Sequence, residues 1–257
     1  MLQRLILRFQ VLTLAALTFV AANAGAAEIQ IAVASNFSSP MAKIAEQFRV
    51  ETRHTAVISY GASTKLATQI KNGAPFAVFL SADQQEIRTL IKDLLAVSGS
   101  EFTYAIGKLV LWSPKEGLKV NEGEVLKSGR FNRLAIANPK LAPYGKAARE
   151  VMEKLDVWQK LKTRLVTGES VAQTYQFAAS GNVDLAFVAR SQVTETRGSL
   201  WVVPQALFSP LKQDAVLLKK GLAKGEAGET AQLFLKFLKS KKIRDIINEF
   251  GYDIPND

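Results

Sequence analysis

Between residues 29 and 95 one plan repeats three times: an apolar, strand-like run, a short polar turn, then a helix. Residues 29–34 lead into Val33-Ala34-Ser35-Asn36-Phe37-Ser38-Ser39-Pro40 and a helix over 41–50 whose Met41, Ile44, Ala45 and Phe48 share a face. Residues 55–60, β-branched and aromatic, lead into Gly61-Ala62-Ser63-Thr64 and a helix over 65–71. Residues 76–80 lead into Ser81-Ala82-Asp83-Gln84, spaced as a capping box, and a helix running on toward Leu95. Successive βα units of this kind imply a parallel sheet flanked by helices, with ligands favoured at the carboxyl ends of the strands.

The turns carry the chemistry. At Ser35-Asn36 a hydroxyl, an amide and unpaired backbone N–H groups gather at a helix N-terminus, where the macrodipole adds partial positive charge, and that is an anion site. Pro40 suits the first helical position, with Ser39 as its cap. Serine and asparagine often stand at such junctions for capping alone, so a single turn says little; Ser63 repeats the arrangement and gives it weight.

Further along, residues 102–112 form a strand-like run interrupted at Gly107, long enough to leave one domain and enter another. The stretch 115–129 is polar, with a short helix near 122–127. The βα pattern then resumes as strand 133–137, loop 138–146 containing Tyr144, and helix 147–155. A second unit follows as strand 163–167, turn 168–171 and helix 172–180, with further strands at 184–188 and 201–204. A return through 210–218 ends in two helices, 226–238 and 241–250, closed by Gly251. The fold expected is α/β with two lobes, each a mainly parallel sheet flanked by helices, and a ligand cleft between them. Residues 28–106 make the first lobe, 107–212 the second, and 213–257 the return crossover and C-terminal helices packing on the first.

The amino terminus reads differently. Arg4 and Arg8 precede an apolar run, 11–22, and the small residues Ala24-Gly25-Ala26-Ala27, which is the layout of a cleavable secretory signal peptide over residues 1–27 and predicts a periplasmic location. Of 33 Lys and Arg, that segment holds two and none of the 23 Asp and Glu, leaving 31 against 23, a net charge of +8. The basic residues are spread along the chain, which fits attraction of a small anion better than nucleic-acid binding. The densest group, 236–244, alternates with apolar residues at helical spacing and reads as a solvated helix face. With no cysteine and a single histidine, His54, no direct protein ligands to a metal are expected.

Six segments in order resemble the periplasmic molybdate-binding proteins of ABC transporters: Ala32-Val-Ala-Ser-Asn-Phe37, Tyr60-Gly-Ala-Ser-Thr64, Val78-Phe-Leu-Ser-Ala-Asp83, Tyr104 through Pro114, Ala137-Asn-Pro-Lys-Leu-Ala-Pro-Tyr-Gly145, and Gly168-Glu-Ser-Val-Ala-Gln-Thr174. The resemblance covers nearly all of residues 28–253. It implies a two-lobed, type II binding protein that closes on molybdate or tungstate and delivers it to a membrane permease, acting as a monomer without a cofactor. It maps the oxyanion donors onto Ser35, Asn36, Ser63, Tyr144 and Val171, the last through its backbone N–H. Three positions depart from the family pattern: Phe187 where one branch has a tyrosine donor, Ala77 where an acidic residue is expected, and Ser170 where asparagine is common.

The residue chemistry agrees. Molybdate is a proton-free dianion at neutral pH and needs donors alone, whereas hydrogen phosphate carries a proton that requires an acceptor. The mapped residues include no Asp or Glu, and the nearby Glu169 reads as a helix-stabilising carboxylate. Sulfate has the charge and shape of molybdate, so a binding or sensory protein for another tetrahedral oxyanion is the alternative. An enzyme is not expected. Ser209-Pro-Leu-Lys212 has S-x-x-K spacing without its companion motifs, and neither a G-x-S-x-G elbow nor a complete phosphate-binding loop is present.

Overall fold

The architecture is that of a computed structural model describing residues 26–193, 198–222 and 225–255. The expected signal peptide lies outside these except for Ala26 and Ala27. Among the described residues two five-stranded sheets form, each flanked by helices.

The first sheet has the order β2 (Thr55–Gly61), β1 (Glu28–Ala34), β3 (Val78–Leu80), β10 (Leu211–Leu217), β4 (Phe102–Gly107). The second has the order β7 (Leu165–Gly168), β6 (Leu134–Ala137), β8 (Leu185–Ala189), β5 (Leu109–Ser113), β9 (Ser199–Val202). In each sheet the first three strands run parallel, and the strand entering from the other lobe pairs antiparallel: β10 against β3 and β4, β5 against β8 and β9. Parallel neighbours need helical crossovers, and the strands that cross directly from the other lobe run against them. The run 102–112 is therefore two strands in two sheets, joined at Lys108. The second passage lies between Val202 and Leu211, and β10 is an inner strand of the first sheet.

Helix packing follows the apolar stripes. One face of the first sheet buries Ile29, Ile31 and Val33 with Phe37, with Met41, Ile44 and Phe48 of α1 (Ser38–Thr52), and with Phe234 and Ile243 of α8 (Glu226–Leu238) and α9 (Lys241–Glu249). The other face buries Ala32 and Phe79 under Leu66 and Ile70 of α2 (Ser63–Lys71) and Ile87 and Leu90 of α3 (Gln85–Lys92). The basic group 236–244 spans two helices that break at Lys239-Ser240, with its apolar members inward.

Three local expectations change. A 3-10 turn, Ser35–Phe37, precedes α1, which starts at Ser38, so Pro40 is its third residue and Ser39 does not cap it. The first four N–H groups of a helix have no internal partner, so proline costs nothing anywhere in that turn. The Ser81 capping box does not form: Asp83 Oδ1 accepts the Glu86 N–H at 3.0 Å instead, because Ser81 is buried and its N–H is tied to the Asp214 carbonyl. Residues 143–146 belong not to a loop but to α5 (Pro143–Lys154), with Pro143 preset for the first helical position.

Candidate functional site

The carboxyl ends of the parallel strands in both lobes face one another, and all five expected donor residues lie there, buried to 5 % exposure or less. Ser35 opens the 3-10 turn after β1. Ser63 is the first residue of α2, Tyr144 the second residue of α5, and Val171 the first of α7 (Val171–Ala179). The N-terminal N–H groups of these turns point toward the same end of the sheets.

Contacts across the cleft bring the turns together. Helix α7 packs on the 3-10 turn of Ser35. The Thr64 N–H donates to the Leu141 carbonyl at 3.3 Å, joining the second turn to the loop ahead of Tyr144. The Ser191 hydroxyl donates to the Asn36 carbonyl at 2.8 Å, and Lys65 pairs with Glu169 at 2.6 Å. Ala34, Ala62 and Ala82, one from each turn of the first lobe, pack into the core cluster of the second. Residues this small at the strand ends are what allows the lobes to close.

Hydroxyl bookkeeping defines what each group can still offer. Ser63 Oγ accepts the Ala82 N–H at 3.0 Å, which leaves its proton to donate elsewhere. Ser170 caps α7 by accepting from the Gln173 N–H at 3.3 Å, and the first intrahelical bond runs from Thr174 to Ser170, so the Val171 and Ala172 N–H groups stay clear of both. Asn36 departs from expectation. Both protons of its side-chain amide are taken within the protein, by Gln213 Oε1 at 2.8 Å and Tyr252 Oη at 3.0 Å, so its main-chain N–H is what it can give an anion.

Behind the turns lies a buried polar cluster that the sequence reading did not identify: Tyr104, Ser191, Gln213 and Tyr252. Tyr104 donates to Gln213 Oε1 at 3.0 Å, Gln213 Nε2 donates to Tyr144 Oη at 3.2 Å, and Tyr252 donates to the Asn36 carbonyl at 2.8 Å. Burial pushes the Tyr144 and Tyr104 hydroxyls well above their ordinary range and that of Tyr252 to about 12, with the neighbouring phenol oxygens adding to the first two. All three remain protonated across the physiological range. Neither Gln213, set between Lys212 and Asp214 in a strand of mixed polarity, nor Tyr252, next to the bridge residue Asp253, carries a local signal in the sequence.

The carboxylates nearby are already engaged. Glu169 faces Lys65, and Asp83 accepts from the Ser81 hydroxyl and the Glu86 N–H. The site thus presents helix N-termini, neutral hydroxyls and main-chain amides, a set that solvates a small anion and holds no free carboxylate to take a ligand's proton. Among the described residues no three His, Asp or Glu side chains cluster as a metal cage. Of the departures, Phe187 is buried within β8 and Ser170 serves as a cap. Ala77 sits at the amino end of β3, away from the turns, its main chain paired with Gln30 and Leu218.

Known proteins bear on the chain as follows. The model of the bacterial extracellular solute-binding protein family matches residues 29–253. A molybdate-binding protein of Azotobacter vinelandii is 48 % identical over 91 % of this chain and 93 % of its own length, and one of Rhodobacter capsulatus 47 % over 96 % of each. The solved structure of an Azotobacter vinelandii periplasmic molybdate-binding protein superposes with a TM-score of 0.84 at 39 % identity, over 89 % of this chain and all of that one. The chain therefore belongs to the bacterial extracellular solute-binding proteins, within the molybdate-binding protein family.

Proposed function

We propose that this protein is the solute-binding component of an ABC importer: exported by its amino-terminal signal peptide, it captures molybdate or tungstate in the periplasm and passes the anion to a membrane permease. The observation that carries the proposal is the meeting of four strand-to-helix turns, two from each lobe, that offer donors and no acceptor. The ligand set is the hydroxyls of Ser35, Ser63 and Tyr144 and the main-chain N–H groups of Asn36 and Val171. The names of the relatives favour molybdate over sulfate as the cargo. No step of the function needs a catalytic group or a cofactor.

A dianion leaving water gives up strong hydration, and a neutral, preformed donor shell replaces it without the reorganisation that mobile side chains would require. Lobe closure completes that shell, since neither lobe holds all five donors. Calorimetric titration of the mature protein with molybdate, tungstate, sulfate and phosphate tests the reading. One-to-one binding of the first two, with sulfate and phosphate much weaker, is expected; sulfate binding as tightly as molybdate would reject it.

A further inference from the structure

The buried cluster behind the turns has a fixed hydrogen-bond direction, and its anchor is the Asn36 main-chain carbonyl, which can only accept. Tyr252 and Ser191 each reach that carbonyl at 2.8 Å and lie 2.9 Å from each other, so the Tyr252 proton goes to the carbonyl or to Ser191, and its oxygen is left to accept from Asn36 Nδ2 at 3.0 Å. The other Nδ2 proton goes to Gln213 Oε1, which is also the nearer of two acceptors for the Tyr104 proton, at 3.0 Å against 3.3 Å for the Ser81 carbonyl. With Oε1 held by two donors, Gln213 must turn Nε2 to Tyr144, and it donates to that hydroxyl at 3.2 Å. A phenol oxygen that accepts in one direction keeps its single proton for another, and Tyr252, the other hydroxyl beside Tyr144, already accepts from Asn36 Nδ2, which leaves the cleft as the outlet.

We infer that Gln213 is a specificity-determining positioning residue: by donating to Tyr144 it makes that hydroxyl a donor toward the cleft, and so selects oxyanions without a proton over those that carry one. This rests on the reading that the cleft holds an oxyanion beside Tyr144. Gln213 is fully buried in β10, between the two lobes' contributions to the cluster, and acts through Tyr144. The pair is held tightly. A Cβ on Gly107, at the crossing between the sheets, would lie 2.6 Å from Gln213 Nε2 and closer still to the Tyr144 hydroxyl, so only bare backbone fits against them.

The test is Gln213→Glu, which keeps the shape and replaces the donor with an oxygen. The Asn36 amide and the Tyr104 and Tyr144 hydroxyls favour the ionised carboxylate against its burial, and in that form it draws the Tyr144 proton away from the cleft. Its charge opposes molybdate, sulfate and hydrogen phosphate alike, so the readout is the ratio of their dissociation constants at one near-neutral pH. Expected is a fall of at least about tenfold in the molybdate-to-phosphate preference, with the molybdate-to-sulfate preference unchanged, and no such fall when the change is made in Tyr144→Phe protein. Gln213→Met, which removes the donor without adding charge, should lower the same ratio by less. If both variants weaken all three anions by one common factor, or move the ratio equally without the Tyr144 hydroxyl, the inference is wrong. Wild-type protein that fails to bind molybdate would instead overturn the function proposed above.

Discussion

Ser63 does two jobs with one oxygen, accepting the Ala82 N–H and keeping its proton free. Ser63→Ala removes both, and the second loss leaves a dehydrated oxyanion oxygen without a donor, a cost of about 1–3 kcal/mol in binding. Titration of the variant against molybdate, beside its thermal midpoint without ligand, separates that loss from the smaller one in the empty protein; affinity equal to wild type would remove Ser63 from the ligand set. Ser63, Ser35 and Val171 were legible in the sequence because polar turns between a strand and a helix are written locally. Gln213 and Tyr252 were not, because their role depends on position in space. Leu211-Lys212-Gln213-Asp214 reads as an ordinary strand of mixed polarity until β10 is seen lying between β3 and β4, with Tyr144 of the other lobe above it. The sequence points to the Asn36 amide, yet tertiary partners take both of its protons and leave only the main-chain N–H on offer.

Helix boundaries were the least legible elements. In the sequence Tyr144 falls in a loop, because Asn-Pro-Lys-Leu-Ala-Pro reads as a chain of turns; Pro143 instead starts α5, and Gly145 lets that helix approach the end of β6, where a Cβ would strike the Ala137 carbonyl. The result fixes Tyr144 on a rigid element. The loop before β6 is tied down by Asp184, which pairs with Lys115 and accepts the N–H groups of Asn132 and Arg133 at 2.6 and 3.0 Å. Burial alone would raise the Asp184 carboxyl, but the Lys115 ammonium and those N–H donors outweigh it and hold it below its usual range. A carboxyl lowered by folding contributes stability above its unfolded value of about 4 and loses that contribution as the pH falls through its folded value. Asp184→Asn should therefore cost about 1–2 kcal/mol at neutral pH, with the gap to wild type closing in acid. Denaturant unfolding at several pH values checks this; a gap independent of pH would show that the charge is not what matters.

For the molecule as a whole, closure is carried by small apolar residues and buried polar bonds, with little help from charge at the rim. The alanines of three turns meet the core of the second lobe, and Ser191, Asn36, Gln213 and Tyr144 link the two lobes beneath them. The Lys65–Glu169 pair also spans the cleft, but both side chains are largely exposed, and such pairs contribute little in salt. Lys65→Ala should change molybdate affinity by no more than about fivefold, measured by the same titration; a larger loss would make the rim pair part of the clamp. The division into two lobes was legible from the order of βα units and the double crossing, because connectivity fixes it. The lobes' contact surface was not, since no local pattern marks an alanine that another lobe will cover. The most direct test of the clamp is the anomalous signal of molybdenum in crystals grown with molybdate. One peak within hydrogen-bond reach of Ser35, Ser63, Tyr144 and the Asn36 and Val171 N–H groups is predicted, and a molybdenum bound outside the cleft, or in contact with one lobe alone, would contradict the account.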